Sequence, residues 1–174
     1  MRTTLLLVAL ALTASFAAAD VLESVPAGFT VRVSAPMAAP PERIYRALTE
    51  AISAWWDKAH TYSGDAMNLS LNATPGGCLC EKLPSGGGVR HLTVVYADLG
   101  KMLRLSGGLG PLQDFAVDGT MTWRFVEVAD GTAVELTYRV GGYVTGGIGN
   151  LAAPVNTVLT EQMARLKQFV EMSR

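Results

Sequence analysis

Two histidines, His60 and His91, and two carboxylates, Asp65 and Asp114, are the side chains of this sequence best suited to acid/base work. Imidazole titrates near neutrality, so a general acid or base is most naturally a histidine. His60 opens the polar stretch His60-Thr61-Tyr62-Ser63-Gly64-Asp65, and His91 follows Arg90 in an alternating run. Neither has a nucleophile at motif spacing, so a surface or hydrogen-bonding histidine is the simpler reading of each. Cys78 and Cys80 are the only cysteines. With a histidine they would suit zinc or copper, but Cys-x-Cys lacks the paired spacing of a zinc site, and neither a metal nor a cofactor is expected. Two residues of extended strand cover about 6.6 Å, near the upper limit of disulfide geometry, so a bridge is possible but stretched. Two half-buried thiols on one strand face is the simpler expectation.

A second group could bind without reacting. Trp55, Trp56, Tyr62, Phe115, Trp123, Tyr138, Tyr143 and Met163 offer large apolar surface, several with one polar tip to orient a ligand. The same residues are what a sheet covered by a helix needs to reach native packing density. Adjacent helical residues point about 100° apart, so at most one of Trp55 and Trp56 can face a given pocket. The glycine-rich run from Gly141 to Gly149 lacks the Lys-Ser/Thr ending of a phosphate loop and reads as a turn or gate before the last helix.

These residues must be positioned by a recognisable order of elements. Phe29, Val31 and Val33 alternate with polar residues as in a half-buried strand. Pro40-Pro41 followed by Glu42, with Ile44 and Leu48 one turn apart, starts a helix that runs to about Glu50. A second short helix is expected over residues 51–59. From Asn68 to Val144 strand-like runs separated by glycine turns predict an antiparallel meander. Its firmest part is the hairpin in which Asp130-Gly131 joins the alternating runs of Met121, Trp123, Phe125 and Val134, Leu136, Tyr138, Val140. From Pro154 to about Met172 the spacing becomes helical, with Val155, Val158, Leu159, Met163, Leu166, Phe169 and Val170 in one stripe. The order predicts an α+β domain: one strand, two short helices, about six strands and a long helix.

The N-terminus sets the compartment. Arg2, the apolar run Leu5–Leu12 and the small residues Ala17-Ala18-Ala19 have the three-part layout of a secretory leader. The apolar run is well short of the roughly 20 residues that span a bilayer. We therefore expect a signal peptide over 1–19, cut after Ala19, a single domain over 20–174, no stable membrane span in the mature protein, and a periplasmic or secreted location. With 14 Lys and Arg against 15 Asp and Glu, and no cluster of one sign, nucleic acid is excluded as a partner.

The order of elements, together with Ala39-Pro40-Pro41-Glu42-Arg43-Ile44-Tyr45-Arg46-Ala47-Leu48-Thr49, Trp55-Trp56, Pro75-Gly76-Gly77, Met102-Leu103-Arg104-Leu105-Ser106, Gly131-Thr132-Ala133-Val134-Glu135-Leu136 and the closing helix, resembles the SRPBCC superfamily. This superfamily includes lipid-transfer START domains, the birch pollen allergen and polyketide cyclases. The match is most similar to the branch named after the activator of the heat-shock chaperone ATPase. That branch works in the cytosol, which the leader argues against here. The resemblance implies a helix-grip fold, a curved antiparallel sheet wrapped around the C-terminal helix, with a cavity for an apolar or amphipathic small molecule. Three functions follow. The first is an exported carrier of a lipid, isoprenoid or polyketide-like molecule. The second is a cyclase- or hydrolase-like enzyme using His60, His91, Asp65 or Asp114 in the same cavity. The third is an adaptor that binds proteins through an apolar outer patch.

Overall fold

The computed structural model describes residues 18–172; the expected leader falls outside them except for Ala18 and Ala19. Eight strands form one antiparallel sheet in the order β1-β2-β8-β7-β6-β5-β4-β3. They are β1 Ala18–Val25, β2 Gly28–Met37, β3 Leu69–Leu71, β4 Cys78–Lys82, β5 Gly88–Asp98, β6 Met102–Ser106, β7 Ala116–Val128 and β8 Gly131–Tyr143. The helices α1 Pro41–Glu50 and α2 Ile52–Trp55 follow β2, and α3 Ala152–Met172 ends the described chain. This is the expected α+β helix-grip architecture, in which α3 lies on β2, α1 and α2.

The alternating runs behave as their period requires. Phe29, Val31 and Val33 of β2, Met121, Trp123 and Phe125 of β7, and Val134, Leu136, Tyr138 and Val140 of β8 are all buried. They share one core with Ile44 and Leu48 of α1 and Met163, Leu166 and Val170 of α3. Helix α1 starts where Pro40-Pro41 places it, with Pro40 extended at the cap. The β7–β8 hairpin forms where the Asp-Gly step predicts, but Val128 lies opposite Gly131, so the two turn residues are Ala129 and Asp130 and Gly131 is the first residue of β8.

Three expectations need correction. The sheet has a further strand, β1, which pairs with β2 from Ala18 opposite Ser34 to Val25 opposite Gly28. All of β1 except Ala19 is exposed, so it shows no apolar alternation to read. A cut after Ala19 would remove two of its eight residues and leave the rest paired. The second short helix ends at Trp55, because Trp56 is extended and the next residue, Asp57, gives its N–H to Gln162 Oε1 of α3 at 2.9 Å. The cysteines are not free: Cys78 and Cys80 form a disulfide with a Cα separation of 5.4 Å. The 6.6 Å expectation assumed a fully extended strand, whereas β4 is contracted between the two cysteines, opposite a break in its register with β5, and their separation falls within ordinary disulfide range.

Candidate functional site

The bulge that accommodates the cysteine strand also makes the site. Leu79 pairs with Leu92 and Cys80 with Arg90, so His91 is the extra residue of β5. Alternation is broken there, and His91 and Leu92 are buried side by side. On β4 the buried positions are Leu79 and Glu81, which leaves a carboxylate where the pattern calls for an apolar side chain. Glu81 is 2 % exposed and His91 5 %. His91 Nε2 lies 2.9 Å from Glu81 Oε2. The same carboxylate accepts the backbone N–H groups of Tyr62, at 3.1 Å, and of Ser63. Burial pushes the Glu81 carboxyl up, but the hydrogen bonds from Ser63, Tyr62 and His91 outweigh burial and hold it below the ordinary glutamate range. Tyr62 completes the cluster by stacking on the imidazole, with ring centroids 5.8 Å apart and planes 17° from parallel.

Tyr62 and His91 of this cluster form part of the wall of an apolar cavity of about 470 Å³, within the range of small-molecule pockets. The N-terminal half of α3 contributes Val155, Val158 and Leu159, and the sheet contributes Leu69, Leu79, His91 and Tyr138. The remaining walls come from Leu151, just before α3, and from two segments outside the strands and long helices, 56–62 and 109–115. Each segment is tied down by hydrogen bonds. The Tyr138 hydroxyl donates to the Gly107 carbonyl at 2.8 Å and accepts from the Leu109 N–H at 2.9 Å. Burial pushes this phenol far up, so it stays a donor. Its ring reaches across Gly119, where a Cβ would stand 2.6 Å from Tyr138 Cε2. The 56–62 segment is fastened to α3 by the Asp57–Gln162 bond, by the Asp57–Arg165 ion pair, and by His60 Nε2 with Glu161 at 3.1 Å. The Ala59 N–H, with help from Arg165 and His60, holds the Asp57 carboxyl below its usual range.

The structure divides the residues singled out in the sequence. Trp56, Tyr62, Phe115 and Tyr138 line the cavity, as do His60 and His91. Trp55 does not: it is buried and gives its Nε1–H to the Ala47 carbonyl of α1. Trp123 and Met163 are also buried in the core, away from the cavity, because their positions face the filled part of the sheet. Tyr143 stands at the end of β8 and is 72 % exposed. Asp65 lies in an exposed turn where its carboxylate caps the Met67 N–H, so it is not available to the cavity. Asp114 is exposed and outside the lining, although with burial its charge raises the Tyr62 phenol. Glu81, Leu109 and Pro111 were not picked out in the sequence, and Val155, Val158 and Leu159 were read there only as part of the helix stripe. Glu81 left a signal: in Cys78-Leu79-Cys80-Glu81 it shares a strand face with Leu79. Among the described residues no group of three His, Cys, Asp or Glu side chains could hold a metal.

No protein-family model and no curated protein matches the chain. Solved structures do. An uncharacterized protein from Rhizobium leguminosarum superposes with a TM-score of 0.59 at 19 % identity, covering 90 % of this chain and 99 % of that one. CalU16 from Micromonospora echinospora gives 0.60 at 15 % identity, over 91 % and 84 %. DynU16, a protein in the dynemicin biosynthetic locus, gives 0.57 at 19 % identity, over 83 % of this chain and 48 % of that chain. At these identities the similarity is one of fold.

Proposed function

We propose that the protein is an exported SRPBCC-type, START-like binding module that holds an apolar or amphipathic small molecule in the cavity beneath α3. A lipid, an isoprenoid or a polyketide-like molecule has the required character. The observation that carries this reading is the cavity itself, about 470 Å³ with walls that are mostly aliphatic and aromatic. Residues 1–19 supply the second support, as a leader directing the domain 20–174 to the periplasm or the exterior. No helix among the described residues is long and apolar enough to cross a membrane. The test is to purify the chain from Asp20 onward and compare native with denaturing mass spectra. A hydrophobic mass held natively and released on denaturation is the expected result. Delipidated protein that takes up no fatty acid, isoprenoid or aromatic probe would overturn it.

A cyclase- or hydrolase-like enzyme is the second reading. It is favoured by one observation, a buried imidazole on the cavity wall whose carboxylate partner orients it as an orienting group does a general base. The place of DynU16 in a biosynthetic locus leans the same way. This reading expects a bound candidate substrate to be converted to a new mass by the wild type and left unchanged by His91→Gln.

A further inference from the structure

The cavity wall contains few polar side chains, and most are already engaged within the protein. Trp56 Nε1–H donates to the His60 carbonyl at 3.1 Å, the Thr61 hydroxyl to the Lys58 carbonyl at 2.7 Å, and the Tyr138 hydroxyl is used in both directions. His60 is paired with Glu161 at the exposed rim. His91 differs. Its Nδ1 is buried and has no hydrogen-bond partner, although the residue belongs to the lining. Buried polar atoms in folded proteins are nearly always satisfied, so an unpartnered one on a residue that lines a cavity requires an explanation.

The chemistry of the missing partner follows from the groups around it. Glu81 is ionised and accepts three hydrogen bonds, so it can only be an acceptor towards His91. The proton shared with it therefore sits on Nε2, and in the neutral imidazole Nδ1 offers a lone pair. A lone pair calls for a donor. A carbonyl or ether oxygen would bring a second lone pair. A carboxylate would bring a negative charge to a region that already contains Glu81, Asp114 near Tyr62, and Glu161 on His60. A hydroxyl on an otherwise apolar body satisfies the nitrogen and leaves the aliphatic walls with apolar surface.

We propose that His91, held by Glu81 and stacked on by Tyr62, is a ligand-reading residue that accepts a hydrogen bond at Nδ1 from one hydroxyl of an otherwise apolar molecule. Glu81 is then a positioning residue, fixing both the tautomer and the ring. The inference rests on the cavity being a binding site. It goes beyond that reading by naming the one polar group the ligand must carry.

Three matched probes test it: 2-naphthol, its methyl ether 2-methoxynaphthalene, and 2-naphthoate. Wild-type protein should bind 2-naphthol at least about fivefold tighter than the ether, the effect of one unreplaced hydrogen bond. His91→Phe keeps the ring volume and should bind both equally, through loss of the naphthol preference alone. On wild-type protein, which avoids any folding defect of the variant, the His91 Nδ1 ¹⁵N resonance should move on adding 2-naphthol and stay in place with the ether. Equal wild-type affinities and an unmoved resonance would overturn the hydroxyl assignment while leaving the carrier reading intact. Tighter binding of 2-naphthoate that depends on His91 would replace it with recognition by a charged imidazole. Binding of none of the three probes would overturn the inference and count against the cavity as a carrier site.

Discussion

The two halves of α3 carry one continuous apolar stripe, yet they meet different surroundings. Met163, Leu166 and Val170 in the C-terminal half are buried in a filled core with α1, where Tyr45 and Phe125 pack edge to face at 5.7 Å. Arg43 of α1 closes that end by donating to the Val170 carbonyl at 2.8 Å. Val155, Val158 and Leu159 in the N-terminal half instead cover the cavity. There the space is bridged by two segments outside the strands and long helices, which depend on a small number of hydrogen bonds. An amphipathic stripe therefore shows only that a helix covers something apolar. Whether it covers side chains or a space depends on how much volume the facing elements bring.

Five substitutions break or sharpen this contrast. The largest effect is expected from Leu166→Ala in the filled half, about 2–5 kcal/mol in chemical denaturation, because a close-packed site cannot collapse onto the lost volume. The parallel Val158→Ala, which only enlarges an existing space, should cost about 1 kcal/mol or less. Equal costs would mean the two halves are packed alike.

Glu81→Gln should destabilise by about 2 kcal/mol, since an amide cannot replace a buried carboxylate that accepts three hydrogen bonds. Its pH dependence has a definite sign. Because the folded Glu81 carboxyl lies below its ordinary value, its contribution is present in full above the unfolded value, about 4.3, and is lost as the pH falls through the folded one. The stability gap between wild type and Glu81→Gln should accordingly shrink below about pH 4.3, as followed by urea unfolding at several pH values.

Tyr138→Phe should cost about 1–2 kcal/mol and raise the hydrogen-exchange rate of the Leu109 amide, which loses its acceptor. A protected Leu109 in that variant would show that the 109–115 wall is held by something else. The smallest change in stability is expected for Val158→Trp. The added indole enters existing space, so stability should stay within about 1 kcal/mol, where overpacking a filled core costs about 1–3. Binding of an aromatic probe should nonetheless fall at least about tenfold, because the space is gone.

Much of the architecture was legible because period and turn chemistry are local. The strand faces of β2, β7 and β8, the proline start of α1, the Asp-Gly hairpin and the stripe of α3 each follow from residues close together in the chain. β1 was not legible, since an edge strand exposed along nearly its whole length carries no alternation. The second helix stopped short because Asp57 found a partner 105 residues away, and no local propensity reports that bond.

The site was legible in part. Residue type identified Trp56, Tyr62, Phe115, Tyr138, His60 and His91 as candidates, and all six meet at the cavity. Type could not separate them from Trp55, Trp123 and Met163, because a filled core and a cavity draw on the same apolar side chains. The sequence by itself determined the class of fold and the faces its elements would bury, because 2.0- and 3.6-residue periods are properties of the backbone. Only the tertiary structure decided that a single extra residue in β5 turns His91 inward onto Glu81. It also decided that the volume above β3–β5 stays open, because both depend on how distant segments share space.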